Sequence, residues 1–216
     1  MTSLSNRLID SYSGSSLSSR ARARRWIEIM RRFPELGEMD VIDLGGDIRS
    51  WRLAPVRPRR LLLVNTFAQD LPETWAEAVV ADACDLPPSI IDRRFDLVYS
   101  NSVLEHVGGH HRRRRFAETA LALGKHLWVQ TPYRYFPIEP HWVFPGFQFL
   151  PVAARVRAMG LWPVGNYPRD LPRTEAVGHV LNIELVSMTE MEAYFPGVEI
   201  WHERLLGMTK SLVAVG

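Results

Sequence analysis

The sequence predicts an α/β fold: a doubly wound, mostly parallel seven-stranded sheet with a C-terminal antiparallel hairpin. Three observations carry this expectation. Five short apolar runs, Val41–Leu44, Leu61–Val64, Ala78–Ala81, Phe95–Tyr99 and His126–Val129, are each bounded by Gly, Pro, Asp or Asn. Their apolarity is continuous rather than alternating, which suits strands buried on both faces of a parallel sheet. Segments with helical spacing lie between them, and strand–helix alternation is the pattern of a doubly wound sheet.

The elements follow in order. Residues 1–19 are polar and Ser-rich and are expected to form a flexible arm, with residues 20–216 a single domain. Residues 20–33 read as a helix, because Trp26, Ile27, Met30 and Phe33 make one apolar stripe and Pro34 stops it. Arg114–Leu123 is the clearest inter-strand helix, with Phe116, Ala120 and Leu123 on one face. Val198–Leu205 and Ser211–Val215 read as antiparallel strands joined by the Gly-containing turn Leu206–Lys210.

Composition excludes several classes. Apolar residues are 46% and charged residues 23% of the chain, which is globular rather than disordered. Cys84 is the single cysteine, so neither an intramolecular disulfide nor a Cys-rich metal site can form. His110 and His111 lack a third ligand at ligating spacing, so no metal is expected, with a substrate-bridging Mg²⁺ left open. The start has no apolar core of about 7–15 residues and no run approaches ~18, so a soluble, cytoplasmic protein without a membrane segment is expected. Net charge is +2, with 24 Arg against two Lys, a composition bias more than a nucleic-acid surface.

The strand ends carry the chemistry. Val41-Ile-Asp-Leu-Gly-Gly-Asp47 is a buried strand running into a Gly pair, which lets a ligand approach the backbone closely. Asp43 lies at the end of that strand, where it is expected to face the ligand crevice. Leu61–Val64 ends in Asn65, Ala78–Ala81 in Asp82, and Phe95–Ser100 in Asn101. Four apolar strands thus end in polar residues on one sheet edge, the arrangement that holds a polar, adenosine-like ligand on an apolar floor.

On these residues the chain resembles the class I S-adenosylmethionine-dependent methyltransferases, of the broad small-molecule type, over about residues 38–216. VIDLGGD is similar to the family's first motif, which implies that Asp43, Gly45 and Gly46 face the methionine part of the cofactor. Asn65 sits where the family usually has an acid on the ribose hydroxyls. VADACDLP resembles the third-strand motif, which implies Asp82 and the Ala83 amide on adenine. FDLVYSNSVLEHV resembles the fourth-strand motif beneath the methyl-transfer centre, which includes Asn101. The resemblance implies a Rossmann-like methyltransferase fold and S-adenosyl-L-methionine as cofactor. Two departures stand out: Asp47 and Arg49 replace the later glycines of the first motif, and Asn65 replaces the acid.

Residues 131–170 are read as an aromatic, Pro-rich insertion on the substrate side. Ten of the 22 aromatic residues lie between Trp128 and Tyr167. Prolines at 132, 137, 140, 145 and 151 stiffen the segment. It reads as a substrate wall, with an aromatic minicore over the sheet edge as the structural alternative, and both can hold at once. A hydroxyl acceptor needs a base, and His141 is the candidate, with pKa near about 6.5 in a rigid loop. His106, after the fourth strand, is the second candidate; each histidine also suits a structural hydrogen bond, His106 more so than His141. Glu139 orients His141 or binds substrate, and Tyr133, Arg134 and Trp142 are candidate substrate contacts.

Arg20–Arg25 and His110–Arg115 are basic runs, read as solvated helix faces. The second begins a helix, where positive charge opposes the dipole and hints at an anionic partner. NSVL stands where amino-methylating nucleic-acid enzymes often carry an Asn-Pro-Pro-Tyr-type tetrapeptide. The expectation is therefore methyl transfer to a small molecule, a sugar or other hydroxylated metabolite. The alternatives are a degenerate cofactor-binding accessory protein and, after it, a nucleic-acid methyltransferase. The acceptor, the choice among oxygen, nitrogen and carbon, and the oligomeric state are left open.

Overall fold

The structure is a computed structural model that describes residues 17–162 and 171–216. The remainder of the expected N-terminal arm and the last part of the insertion lie outside the described residues. Residues 17–19, expected in that arm, already belong to the first helix, α1 (Leu17–Arg32).

Seven strands form one sheet: β1 (Asp40–Leu44), β2 (Arg60–Asn65), β3 (Ala76–Val80), β4 (Phe95–Asn101), β5 (Gly124–Pro132), β8 (Glu199–Leu205) and β9 (Met208–Val215). A two-stranded hairpin, β6 (Ile138–Glu139) and β7 (Phe144–Pro145), stands apart. The order across the large sheet is β3-β2-β1-β4-β5-β9-β8. The first five strands are mutually parallel, and β9 runs antiparallel to both β5 and β8. The strand order reverses beside β1, so a crevice opens between the carboxyl ends of β1 and β4, where open α/β sheets take their ligands.

The apolar runs form strands because both sheet faces are covered. On one face, Trp26, Ile29 and Phe33 of α1 and Trp51 of α2 (Ile48–Arg52) pack on Leu63, Leu97, Tyr99 and Trp128. On the other, α3 (Pro88–Ile91), α4 (His110–Leu123) and α7 (Met188–Tyr194) bring Ile90, Phe116, Leu123 and Met191 onto Ile42, Leu62, Val98 and Val129. The buried stripe of α1 differs from the expected one, since Ile27 is 69% exposed and Ile29 is buried in its place. The insertion has its own core. Trp142 and Phe147 pack with Met159 of α5 (Val152–Leu161) and with Ala176 and Val180 of α6 (Arg173–Leu181).

The basic runs are not simply solvated faces. Arg25 is buried and makes two bonds to Glu203 of β8, at 3.2 and 2.9 Å. Arg32 makes two to Glu199, at 2.9 and 2.6 Å, so α1 is clamped to the sheet edge. On α4, Arg112 pairs with Asp82, Arg113 with Glu184 and Glu190, Arg114 with Glu118, and Arg115 with Asp85. These carboxylates relieve the conflict with the helix dipole, so the run supplies no anionic partner of its own. Among the described residues, no helix is long and apolar enough to cross a membrane.

Candidate active site

Gly45 follows β1 at φ +83°, and a Cβ there would stand 2.5 Å from Val103 Cγ2. A Cβ on Gly46 would stand 1.9 Å from Asp43 Oδ2. The turn backbone therefore rests directly on the Asp43 carboxylate, and only glycine fits between them. Asp43 is 1% exposed, and its Oδ2 accepts from the Trp51 indole at 2.7 Å. Oδ1 has no hydrogen-bond partner among the described residues. Burial pushes this carboxyl up to about 7, against the pull of the Trp51 bond. Asp43 thus supports the turn from beneath, rather than facing the crevice as expected.

The crevice, about 300 Å³, is lined by Gly45, Asn65, Asp82, Ala83 and His106, together with Ser102, Val103 and Arg112. Five of the residues singled out in the sequence are brought together there. Asn65 Nδ2 donates to the carbonyls of Gly45 and Gly46, both at 3.0 Å, and its Oδ1 accepts from the Thr66 amide at 2.8 Å. The amide in place of an acid thus ties the first turn to the second strand. Asp47, in place of a glycine, accepts from the Arg49 amide at 2.7 Å and caps α2. Asp82 accepts from the Cys84 amide at 2.9 Å and from Arg112 at 2.7 Å. Burial would raise its carboxyl, but Arg112 and the amide hold it below the usual range. Asn101 goes elsewhere: its Oδ1 accepts from Arg25, in the clamp that docks α1, and it does not line this crevice.

Beside the crevice, β4 turns sharply at Ser102, whose φ is +57°. Glu105 and His106 follow in that turn. β5 carries Thr131, and the β6–β7 hairpin carries Glu139 at its start and His141 in its loop. His141 Nε2 lies 3.2 Å from His106 Nε2. His141 Nδ1 lies 2.7 Å from Glu139 Oε1, while Glu139 Oε2 accepts from the Trp142 amide at 2.8 Å. Both oxygens of one buried carboxylate thus fix the loop, and Val143 closes it at φ +50°, costly for a β-branched residue. Glu105 is fully buried; its Oε2 accepts from Thr131 at 2.9 Å, and Oε1 has no hydrogen-bond partner among the described residues. Oε1 lies 3.9 Å from both imidazole Nε2 atoms.

The electrostatics follow from this packing. Burial raises the Glu105 carboxyl. Burial and the neighbouring His141 pull His106 down to about 4, which leaves it neutral at pH 7. Burial would lower His141 too, but the Glu139 carboxylate outweighs it and holds the imidazole above its ordinary value.

Arg134, Glu139 and Trp142 line a second cavity of about 270 Å³, with Arg113, Gln148 and Arg155. The insertion supplies half of its lining, so the segment both packs as a minicore and borders a cavity. Tyr133 lines neither cavity; it packs on the sheet core and edge-on to Tyr135, ring centres 5.6 Å apart. Sequence reasoning gave no role to Glu105, Trp51, Thr131 or Arg112. Glu105 alone had a signal, since it stands beside His106. The expectation of no metal came from sequence neighbours such as His110 and His111. The structure instead gathers three donors, Glu105, His106 and His141, with the two histidines 35 residues apart.

No family model and no curated relative matches the sequence. Solved structures do. The N-methyltransferase NodS of Bradyrhizobium japonicum WM9 matches at TM-score 0.51 and 13% identity, over 91% of this chain and 95% of that one. The magnesium protoporphyrin IX methyltransferase of Synechocystis, solved with bound SAH, matches at 0.53 and 12%, over 91% and 84%. The N-terminal domain of EvdMO1, solved with SAH and D-fucose, matches at 0.50 and 18%, over 94% and 84%. With its strand order and Gly-turn crevice, the chain has the class I S-adenosylmethionine-dependent methyltransferase fold.

Proposed function

We propose that this protein transfers a methyl group from S-adenosyl-L-methionine to an oxygen of a small hydroxylated acceptor, such as a sugar. The observation that carries this reading is the convergence of Gly45, Asn65, Asp82 and Ala83 on one crevice that also reaches His106. The Gly45 turn and the Ala83 backbone hold the cofactor, and Asp82 accepts from adenine once Arg112 yields. The sulfonium methyl is already activated, so the protein aligns acceptor and methyl, excludes water and removes a proton. The linked histidines His106 and His141, steadied by Glu139, form the deprotonating apparatus. Arg134 and Trp142 contact the acceptor across the second cavity. The EvdMO1 domain, solved in the presence of SAH and D-fucose, lends support to a sugar acceptor.

A second reading, a cofactor-binding protein without turnover, is favoured by one observation. Asn65 and Asp82, the two side chains expected on the nucleoside, already hold protein partners. Calorimetry with S-adenosylhomocysteine and turnover with a panel of hydroxylated metabolites separate the readings. The proposal requires binding, turnover on at least one acceptor, and loss of turnover in His141→Ala with binding retained. Binding without turnover across the panel selects the second reading, and absence of binding overturns both.

A further inference from the structure

We propose that Glu105, His106 and His141 bind a divalent first-row transition ion. The proposal deepens the function above, because the ion would sit where the acceptor loses its proton. Four features point to it. First, two imidazole Nε2 atoms face each other at 3.2 Å. Two nitrogens on one ion at about 2.0–2.1 Å lie roughly 2.8–3.4 Å apart, for octahedral to tetrahedral angles. Second, Glu105 Oε1 is buried, has no hydrogen-bond partner among the described residues and is equidistant from both nitrogens at 3.9 Å. A buried carboxylate oxygen with no donor is costly, and a cation between it and the imidazoles removes that cost. A carboxylate shift of about half an ångström brings it to ligand spacing.

Third, each ligand is held from behind. Glu139 takes His141 Nδ1 at 2.7 Å, which leaves the lone pair on Nε2. The backbone of Asn182 is hydrogen-bonded to His106, and Thr131 fixes the other oxygen of Glu105. Such outer partners orient the rings of metal-ligating histidines. Fourth, the donors are borderline: two imidazoles and one carboxylate suit Zn²⁺, Mn²⁺ or Fe²⁺, whereas Mg²⁺ and Ca²⁺ favour all-oxygen shells.

Three protein donors leave open positions, and His106 lines the crevice, so those positions face it. An acceptor hydroxyl bound there becomes more acidic and releases its proton to water. Its oxygen then forms a bond to the methyl carbon as the carbon–sulfur bond breaks, and that electron pair stays on sulfur. The products are the methyl ether, S-adenosylhomocysteine and one proton.

The test is Zn²⁺ titration of the EDTA-treated full chain by calorimetry, without cofactor, and Co²⁺ absorption spectroscopy. We expect one ion per chain and visible Co²⁺ bands that indicate nitrogen and oxygen donors. His106→Ala and His141→Ala should each weaken binding at least about 100-fold, and the near-isosteric Glu105→Gln about 10–100-fold. His110→Ala should bind as the parent does. Full affinity in the His106→Ala, His141→Ala double variant, or affinity lost with His110→Ala, overturns the proposal. Circular dichroism identifies a variant that fails to fold, in which case Glu105→Gln and the parent's Co²⁺ spectrum decide. S-adenosylhomocysteine titration of the metal-free chain reports separately on the function proposed above.

Discussion

The Trp51 indole donates to Asp43 Oδ2 at 2.7 Å, and among the described residues this is the one hydrogen bond made by a carboxylate that is 1% exposed. The pair joins α2 to β1 beneath the glycine turn. Trp51→Phe removes the donor and leaves the carboxylate bare. We expect a loss of about 1–3 kcal/mol in urea unfolding, and a smaller loss when Asp43→Asn is already present.

The same carboxyl gives the chain a pH signature. Its value is about 7 in the fold, through burial opposed by the Trp51 bond, against about 3.9 in an unfolded chain. Between those values the native state keeps a proton that the unfolded state has lost. The stability that this carboxyl contributes is therefore full below about pH 4, falls as pH rises toward 7, and is flat above it. Urea midpoints measured from pH 4.5 to 7.5 should show this component as the difference between the parent and Asp43→Asn. An identical pH dependence in the two proteins would remove the assignment.

Gly46→Ala drives a Cβ to within 1.9 Å of Asp43 Oδ2, which Trp51 holds in place. We expect a cost of about 1–3 kcal/mol and a weaker affinity for S-adenosylhomocysteine. Gly178→Ala in α6 meets nothing within 4 Å. It should instead stabilise by up to about 1 kcal/mol, because alanine is the better helix former. Thermal melts of both variants check the contrast.

Arg112 occupies one oxygen of Asp82 in the crevice, through a half-exposed ion pair. Such a pair is worth about 0–1 kcal/mol. Arg112→Ala should therefore tighten S-adenosylhomocysteine binding up to about fivefold, while Asp82→Ala should weaken it. Calorimetry that finds the opposite order would place adenine elsewhere.

Arg25 and Glu203 form a buried pair, with side chains 10% and 7% exposed. Burial would raise the Glu203 carboxyl, but the Arg25 charge outweighs it and holds it low. Arg25→Met removes the main counter-charge of a carboxylate that Lys210 still faces, at a cost of up to about 3–5 kcal/mol, and adding Glu203→Leu should recover part of that loss. Chemical denaturation of the single and double variants measures the difference.

Several misplacements have one cause: apolarity marks burial, not strand pairing. β3 was expected at Ala78–Ala81 and forms at Ala76–Val80, because it is the edge strand and Val80 is 59% exposed. β5 extends past Val129 through Gln130 and Thr131, polar residues buried by their pairing with β9. The C-terminal turn shrinks to Leu206 and Gly207, both at positive φ, since Met208 already pairs with Leu205. The capping box of Ser187 and Glu190 was present in the sequence and starts α7, yet a short helix beyond a Pro-rich stretch has little periodicity to announce it.

Strand–helix alternation, the glycine turn and the polar strand ends were all readable from residues close together in the chain, because backbone conformation and hydrophobic periodicity act over a few residues. The Glu105–His106–His141 cluster, the Trp51 support of Asp43 and the Arg25–Glu203 clamp were not. Their partners meet across 35, 8 and 178 residues. Such meetings exist only after the sheet has wound and the β6–β7 hairpin has settled over it. A carboxylate in the amino-acid order has no burial, and burial is what turns Asp43 and Glu105 from ordinary acids into the groups on which this site is built.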